Sequence, residues 1–264
     1  MAKKIRLDVL LTERGLAESR SQAQALVMAG QVRVDEQVAW QPAAAFSPEA
    51  RIEVQAGPRY VSRGGDKLAA ALEAFGLSDL QGKICADVGA STGGFTDCLL
   101  QHGAGRVYAI DVGYGQLHWK LRNDARVALM ERTNARSLVR LPDPVALVTI
   151  DASFISLRTL LPVVKGWFEA SGEVAALIKP QFEAAREEAS RGGGVIRDAE
   201  VHRQVLEEVL RSAQGQGFAP QGLIRSPLKG PKGNTEFLVH LGYPAQEEVS
   251  AEQVAGWIER ALEA

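Results

Sequence analysis

Cysteine is nearly absent. Cys85 and Cys98 are the only two in 264 residues, too few for a disulfide framework or a cysteine zinc site, so a reducing, cytoplasmic compartment is expected and no metal is implied. No apolar run reaches the ~18 residues of a membrane-spanning helix. An excess of either charge sign is also lacking: the formal net charge is −2, which gives no global signal for nucleic acid. The segment Met1-Ala2-Lys3-Lys4-Ile5-Arg6 is basic, but Asp8, Glu13 and Arg14 follow where a signal peptide has an apolar stretch, and no signal peptide is expected. With 46% hydrophobic and 23% charged residues over this length, a large core is available, which excludes disordered, collagen-like and coiled-coil classes.

The charge that is present is uneven. Residues 1–65 hold nine Lys/Arg against seven Asp/Glu, whereas the tail from Pro244 holds five Glu against Arg260. Residues 1–58 read as a small α+β module. Two short helices fill 6–30, with Gly15 ending the first, a Ser19-x-x-Gln22 capping box opening the second and Gly30 closing it. Gln31–Val34 alternates, Asp35-Glu36 turns the chain, and Val38, Trp40 and Arg51–Val54 resume strand character. Residues 59–65 read as a linker. From 66 to 264 strands alternate with helices: Asp66–Phe75 helix, Ile84–Val88 strand, a glycine-rich turn and helix, then strands at Val107–Asp111, Ala128–Glu131, Val145–Asp151 and Val174–Lys179. An amphipathic helix at Asp198–Gly215, strands at Leu223–Ser226 and Phe237–Leu241, and a final helix capped by Ser250-x-x-Gln253 complete the set. This order predicts a mostly parallel sheet covered on both faces, a Rossmann-like α/β domain.

The turn Asp87-Val88-Gly89-Ala90-Ser91-Thr92-Gly93-Gly94-Phe95 falls where the first strand of that domain meets a helix, the crevice in which such sheets bind ligands. Its spacing is Gly-x-x-x-Gly-Gly, so a pyrophosphate cradle is weakly supported, and Asp87 would repel one. A carboxylate there suits a ligand with a cationic amino group, such as the methionyl end of S-adenosylmethionine. Asp111, at the end of the next strand, can accept hydrogen bonds from ribose hydroxyls. The same stretch also contains Gly89-x-Ser91-x-Gly93, the nucleophile-elbow pattern of serine hydrolases. That pattern here follows the first strand, and His102, His118, His202 and His240 lie in helical or strand patterns rather than a catalytic loop. A purely structural tight turn is the third reading. Further along, Asp151 ends one strand, Lys179 another before Pro180 stops it, Glu236 follows the basic loop Lys229–Asn234, and Lys67 opens the first helix. Taken singly, each is more often a solvated or capping residue than a catalyst.

Together these stretches are specific. At Arg6-Leu7-Asp8, Ser62–Leu68, Asp87–Asp97, Asp151-x-Ser153-Phe154-Ile155-Ser156, Ile178–Glu183 and Gly233-Asn234-x-Glu236 the chain resembles the TlyA family, often labelled hemolysin-like, of ribosomal RNA 2′-O-methyltransferases. The resemblance runs essentially end to end and implies an S4-type RNA-binding module followed by an FtsJ-like methyltransferase domain. The Lys-Asp-Lys-Glu tetrad of FtsJ-like enzymes would fall on Lys67, Asp151, Lys179 and Glu236. The S-adenosylmethionine site would use Asp87, Gly89, Ala90, Ser91, Thr92, Gly93, Gly94, Phe95 and Asp111, with Asn134 at the adenine edge or serving as a plain turn residue. Lys3, Lys4, Arg6, Arg14, Arg20 and Arg33 would meet RNA phosphates, with Arg63, Lys229 and Lys232 extending the track toward the tetrad. The implied partner is ribosomal RNA or a ribosomal subunit, the substrate a cytidine ribose, and the base Lys179, its amine made more acidic by a neighbouring Lys67. Two other classes fit the sequence less well. One is a ribosome-assembly factor with a non-catalytic methyltransferase fold. The other is a membrane-acting hemolysin, which the acidic terminal helix disfavours.

Overall fold

The computed structural model describes residues 4–55, 57–185, 193–246 and 249–264. The chain divides into two compact units, Met1–Arg59 and Tyr60–Ala264. Among the described residues no helix is long and apolar enough to cross a membrane.

The smaller unit pairs β1 (Ile5–Arg6) with β4 (Ala45–Phe46), and sets β2 (Val32–Val34) between β3 (Gln37–Val38) and β5 (Ile52–Val54), all antiparallel. The β1–β4 ribbon has no counterpart in the sequence reading, because two-residue strands carry no periodicity. Asp35 and Glu36 both take positive φ, the requirement of a two-residue hairpin turn matched to strand twist. Helices α1 (Leu7–Glu13) and α2 (Arg20–Met28) pack Leu7, Leu11, Ala23 and Val27 against Val32 and Val34. The Ser19 hydroxyl caps α2 by accepting from the Gln22 N–H at 3.2 Å, while Gln22 accepts from Glu18 N–H, one residue before the expected reciprocal partner. The two helices are also tied by a fully buried carboxylate. Asp8 accepts from Arg6 at 3.0 and 2.8 Å, from Arg20 at 3.1 Å and from Gln24 at 2.9 Å.

The larger unit is built on one seven-stranded sheet, in the order β11-β12-β10-β9-β6-β7-β8. The strands are β6 (Ile84–Val88), β7 (Arg106–Ile110), β8 (Val127–Met130), β9 (Leu147–Ile150), β10 (Gly172–Ile178), β11 (Ala219–Arg225) and β12 (Phe237–Tyr243). β8, β7, β6, β9 and β10 are parallel; β12 alone is reversed, antiparallel to β10 on one side and to β11 on the other. Strand residues alternate between two cores, as period-2 geometry requires. Val88, Ile110, Val148, Ile150 and Ile178 face one; Cys85, Val107, Ala109, Leu147 and Leu177 face the other. Helices α6 (Leu157–Val164), α8 (Ala199–Gly215) and α9 (Ala251–Glu263) cover the first core, and α3 (Gly64–Ala74) and α4 (Gly94–Gln101) the second. Short helices α5 (Trp119–Arg122) and α7 (Pro180–Glu183) lie in connections. Helix α3 starts at Gly64, two residues before the expected Asp66, and Tyr60 is already buried in the second core. Strand β11 is longer than its apolar run predicts, starting at Ala219 with an irregularity between Pro220 and Gly222. The capping box of Ser250 and Gln253 on α9 is complete, each side chain bonded to the other's backbone N–H.

The Arg6 guanidinium, first, then Gln24 and Arg20, hold the Asp8 carboxyl well below the usual carboxylate range, against the opposing effect of burial. A depressed carboxylate stabilises the fold above the unfolded value of about 4, and that contribution is lost as pH falls through the lower folded value. Asp8→Asn is therefore expected to lower protection of the α1–α2 amides at neutral pH and to flatten its dependence below about pH 4. Hydrogen exchange showing the same protection and the same acid slope in both proteins would contradict this account.

Candidate active site

Strand β6 leads right to β7 while β9 returns on its other side, so the crevice beyond their carboxyl ends is the topological switch point of the sheet. The first cleft there, about 530 Å³, is lined by Val88, Gly89, Ser91, Ile110, Asp111, Val112, Gln116, Thr133, Asn134, Ile155 and Leu160, among others. Asp111 follows β7. Its Oδ2 accepts from the Ser91 N–H at 2.8 Å and its Oδ1 from the Gly113 N–H at 2.6 Å, which fixes the carboxylate while leaving a lone pair on each oxygen. Asn134 Oδ1 accepts from the Arg136 N–H at 3.1 Å, capping a single 3-10 turn, so its amide N–H₂ is the group left to face the cleft. Apolar walls with the fixed Asp111 carboxylate, Asp151 and the Asn134 amide give the cleft the mixed lining in which a nucleoside could be held.

A second cleft of about 380 Å³ shares Gly89, Ser91, Asp151 and Ser153 with the first. Its wall holds all four residues of the expected tetrad, together with Arg63, Gly64, Ala90, Thr92, Gly94, Phe95 and Pro231. The topology explains the convergence. Asp151 follows β9 and Lys179 follows β10. β12 runs antiparallel to β10 with Ile178 opposite Phe237, so Glu236, just before β12, stands at the same sheet edge. Lys67 lies in the first turn of α3. Lys67 Nζ meets Glu236 Oε2 at 2.6 Å, and Lys179 Nζ meets Asp151 Oδ1 at 2.5 Å and Ser153 Oγ at 3.3 Å. Each amine thus has its own carboxylate.

The glycine turn differs from its sequence reading in two respects. Asp87 and Gly93 line neither cleft. Asp87 is fully buried beneath the turn, its Oδ2 accepting from the Thr96 hydroxyl at 2.6 Å and its Oδ1 from the Thr149 hydroxyl at 3.4 Å. It is therefore not placed to receive a ligand's amino group directly. The glycines, expected to admit a ligand, also admit close protein neighbours. A Cβ on Gly89 would stand 2.7 Å from the Asp151 carbonyl, one on Gly93 2.2 Å from Leu121, and one on Gly94 2.2 Å from the Ser62 hydroxyl. Ser91 is no hydrolytic nucleophile in this setting: its hydroxyl faces Gln116 at 3.5 Å. His102, His118, His202 and His240 are engaged with the Cys98 carbonyl, the Lys120 N–H, the Ile196 carbonyl and Glu173 respectively.

Of the basic residues named from sequence, Lys3 lies outside the described residues. Lys4, Arg6 and Arg20 are exposed on the small unit, the two arginines gathered on Asp8. Arg14 instead donates to the carbonyls of Pro48 and Ala50, and Arg33 is half-buried with its Nη1 on the Glu36 carbonyl. In the larger unit Arg63, Lys229 and Lys232 are exposed. The sequence reading gave no role to Ser153, Gln116 or Thr133. All three lie in connections at the carboxyl edge of the sheet, and that position is the signal that finds them.

A switch-point cleft opening beside two amine–carboxylate pairs marks the larger unit as a Rossmann-like group-transfer domain of the methyltransferase type. The FtsJ-like methyltransferase family profile matches residues 60–243, and that of the S4 domain residues 5–52. The chain belongs to the FtsJ-like methyltransferase family, with an S4 domain ahead of the catalytic fold. It is 44% identical to the 16S/23S rRNA (cytidine-2′-O)-methyltransferase TlyA of Mycobacterium tuberculosis, over 99% of this chain and 98% of that protein. It is 43% identical to Hemolysin A of Brachyspira hyodysenteriae, over 89% and 99%. A solved structure from Streptococcus thermophilus superposes with a TM-score of 0.73 at 40% identity, covering 100% of this chain and 97% of that one.

Burial, first, pushes the Asp87 carboxyl up to about 7; the Asp151 charge adds to this, and the hydrogen bonds from Thr96 and Thr149 oppose it. A carboxyl raised on folding contributes stability that is complete below its unfolded value of about 4 and is lost as pH climbs through the folded value. Melting temperatures of the wild type are expected to carry a falling component between about pH 4 and pH 8 that Asp87→Asn removes. Parallel pH profiles for the two proteins would sink the assignment.

Proposed function

We propose that this chain transfers a methyl group from S-adenosylmethionine to the 2′-hydroxyl of a cytidine ribose in ribosomal RNA. The observation that carries this reading is the shared wall: Gly89, Ser91, Asp151 and Ser153 border both the nucleoside cleft and the cleft of the two amine–carboxylate pairs. A group held in one therefore lies beside a group held in the other. The match to TlyA over nearly the whole chain supports ribosomal RNA as the substrate class, and the S4 match supports RNA binding by the small unit.

When bound, S-adenosylmethionine supplies an electrophilic methyl on a cationic sulfur. Asp111 would hold its ribose hydroxyls and Asn134 its base edge. A 2′-hydroxyl is a very weak acid, so its proton must leave as the new carbon–oxygen bond forms. Once its ammonium has given up a proton to solvent on the open Asp151 side, the neutral Lys179 Nζ receives the hydroxyl proton, while Asp151 and Ser153 fix the direction of the amine. The Lys67–Glu236 pair orients the hydroxyl from the opposite wall. Because the reacting centre gains no net charge, holding oxygen, carbon and sulfur in line is the main task, and rigid strand ends do it well. On the small unit, Arg6 and Arg20 present the outer edges of their guanidiniums to phosphates.

Transfer of labelled methyl to separated 16S and 23S RNAs and to intact subunits, with mapping of the modified nucleotide, tests the reading. At saturating donor, Lys179→Ala is expected to lose at least about 10²-fold in rate; near-normal transfer would eliminate Lys179 as the base. An Arg6/Arg20 double alanine variant is expected to bind RNA more weakly and to shed about 0.7–0.9 from the salt slope per lost phosphate contact. A filter-binding titration with unchanged affinity and slope would remove those two arginines from the interface.

A further inference from the structure

The loops that carry Asp151 and Lys179 are far apart in sequence, yet one buried side chain fastens them together. Glu183 ends α7, the single turn that begins right after Lys179, and is 5% exposed. Its Oε1 accepts from the Leu157 N–H at 2.7 Å and its Oε2 from the Ser156 hydroxyl at 2.5 Å. These are the first residues of α6 and its cap, reached straight from Asp151 through Ala152, Ser153, Phe154 and Ile155. Arg158 reinforces the join, donating to the Glu183 carbonyl at 2.9 Å and lying 3.5 Å from Oε2. All of these partners are donors, which only a carboxylate can satisfy on both oxygens.

The loop between Asp151 and Ser156 needs such a fastening. Phe154 sits at φ +64°, a left-handed conformation that a bulky residue keeps only where its surroundings over-determine it. Upstream, the Asp151 N–H donates to the Val88 carbonyl at 2.9 Å, and the Asp151 carbonyl is packed on Gly89. Downstream, the end of the loop is held by Glu183. Burial raises the Glu183 carboxyl, with Ser156, Leu157 and Arg158 acting to keep it ionised.

We propose that Glu183 is a positioning residue for the methyl transfer: by joining the Asp151–Ser156 loop to the Lys179–Glu183 turn, it sets the Asp151–Lys179 pair and Ser153 against the target hydroxyl. This rests on the functional reading above. It touches neither substrate nor donor, because it lines neither cleft. Glu183→Gln keeps the volume and the bond to Leu157, but turns an N–H₂ toward Ser156 and Arg158.

The test is a crystal structure and a kinetic comparison of full-length Glu183→Gln, with Glu183→Ala as the harsher variant. The glutamine variant is expected to part Asp151 and Lys179 beyond about 3.5 Å and to release Phe154 from positive φ. Its kcat is expected to fall at least about tenfold, with the RNA KM and donor Kd staying within about twofold. A loss in kcat that merely follows the folded fraction, or a pair still in contact in the variant crystal, would overturn the proposal. If the wild type methylates no ribosomal RNA, the functional reading fails, and the variant crystal still decides whether Glu183 sets the pair.

Discussion

Two ammonium groups have been carried into a nearly dry sheet edge, and neither could stay there alone. An unpaired buried ion costs several kcal/mol even after relaxation. Lys67 and Lys179 are each matched by a carboxylate within hydrogen-bond distance, and every one of the four residues arrives on a different segment. The site therefore exists only if β9, β10 and β12 close in the right order and α3 packs over them. Breaking one partner would leave its mate buried and uncompensated, so chemistry and folding are bound together at this edge.

The layer beneath serves the same end. The Asp87 carboxylate pairs with Thr149 on the neighbouring strand and Thr96 on α4, fastening the start of that helix to the sheet. Gly89, Gly93 and Gly94 let the turn pack directly on Asp151, Leu121 and Ser62. The glycines bring the walls of the two clefts close together, so a ligand meets a surface already fixed by protein contacts. That is preorganisation achieved by packing, and it suits a reaction whose barrier is largely one of alignment.

The repeating features were legible from sequence. Apolar runs bounded by Gly and Pro gave the strands from β6 to β10. The Ser250 box gave the start of α9, and the alternation of strand and helix gave the sheet type. The convergence of Lys67, Asp151, Lys179 and Glu236 came from a resemblance, since no periodicity links positions spread from α3 to the foot of β12. Other features depend on which partner an otherwise ordinary residue meets. Arg14 looked like a phosphate contact but spends its donors on the carbonyls of Pro48 and Ala50. Asp87 looked like a ligand contact because it precedes the glycines; its place on the inner face of β6 follows from strand alternation, which turns it toward Thr149. The β1–β4 ribbon is too short to leave a pattern.

The two ion pairs are unequal in a way that bears on their division of labour. The Lys67 and Glu236 side chains are 6% and 1% exposed, whereas Asp151 is 24% exposed beside Lys179 at 9%. A pair sealed from solvent is suited to hold its geometry. A pair whose carboxylate reaches the cleft can exchange its proton with what enters. Ser153, bonded to Lys179 and bordering both clefts, lies on the same open side. The Phe182 ring, 5.9 Å from the Lys179 amine and 4.9 Å from the Phe154 ring, lies on this side too. The asymmetry fits the proposed division of labour, with Lys179 taking the proton and Lys67 as the fixed post against which the hydroxyl is aimed. Glu183 then has a reason to brace the Lys179 side of the crevice: that is the side where the partners are exposed and the loop is strained, so that is where alignment would otherwise be lost.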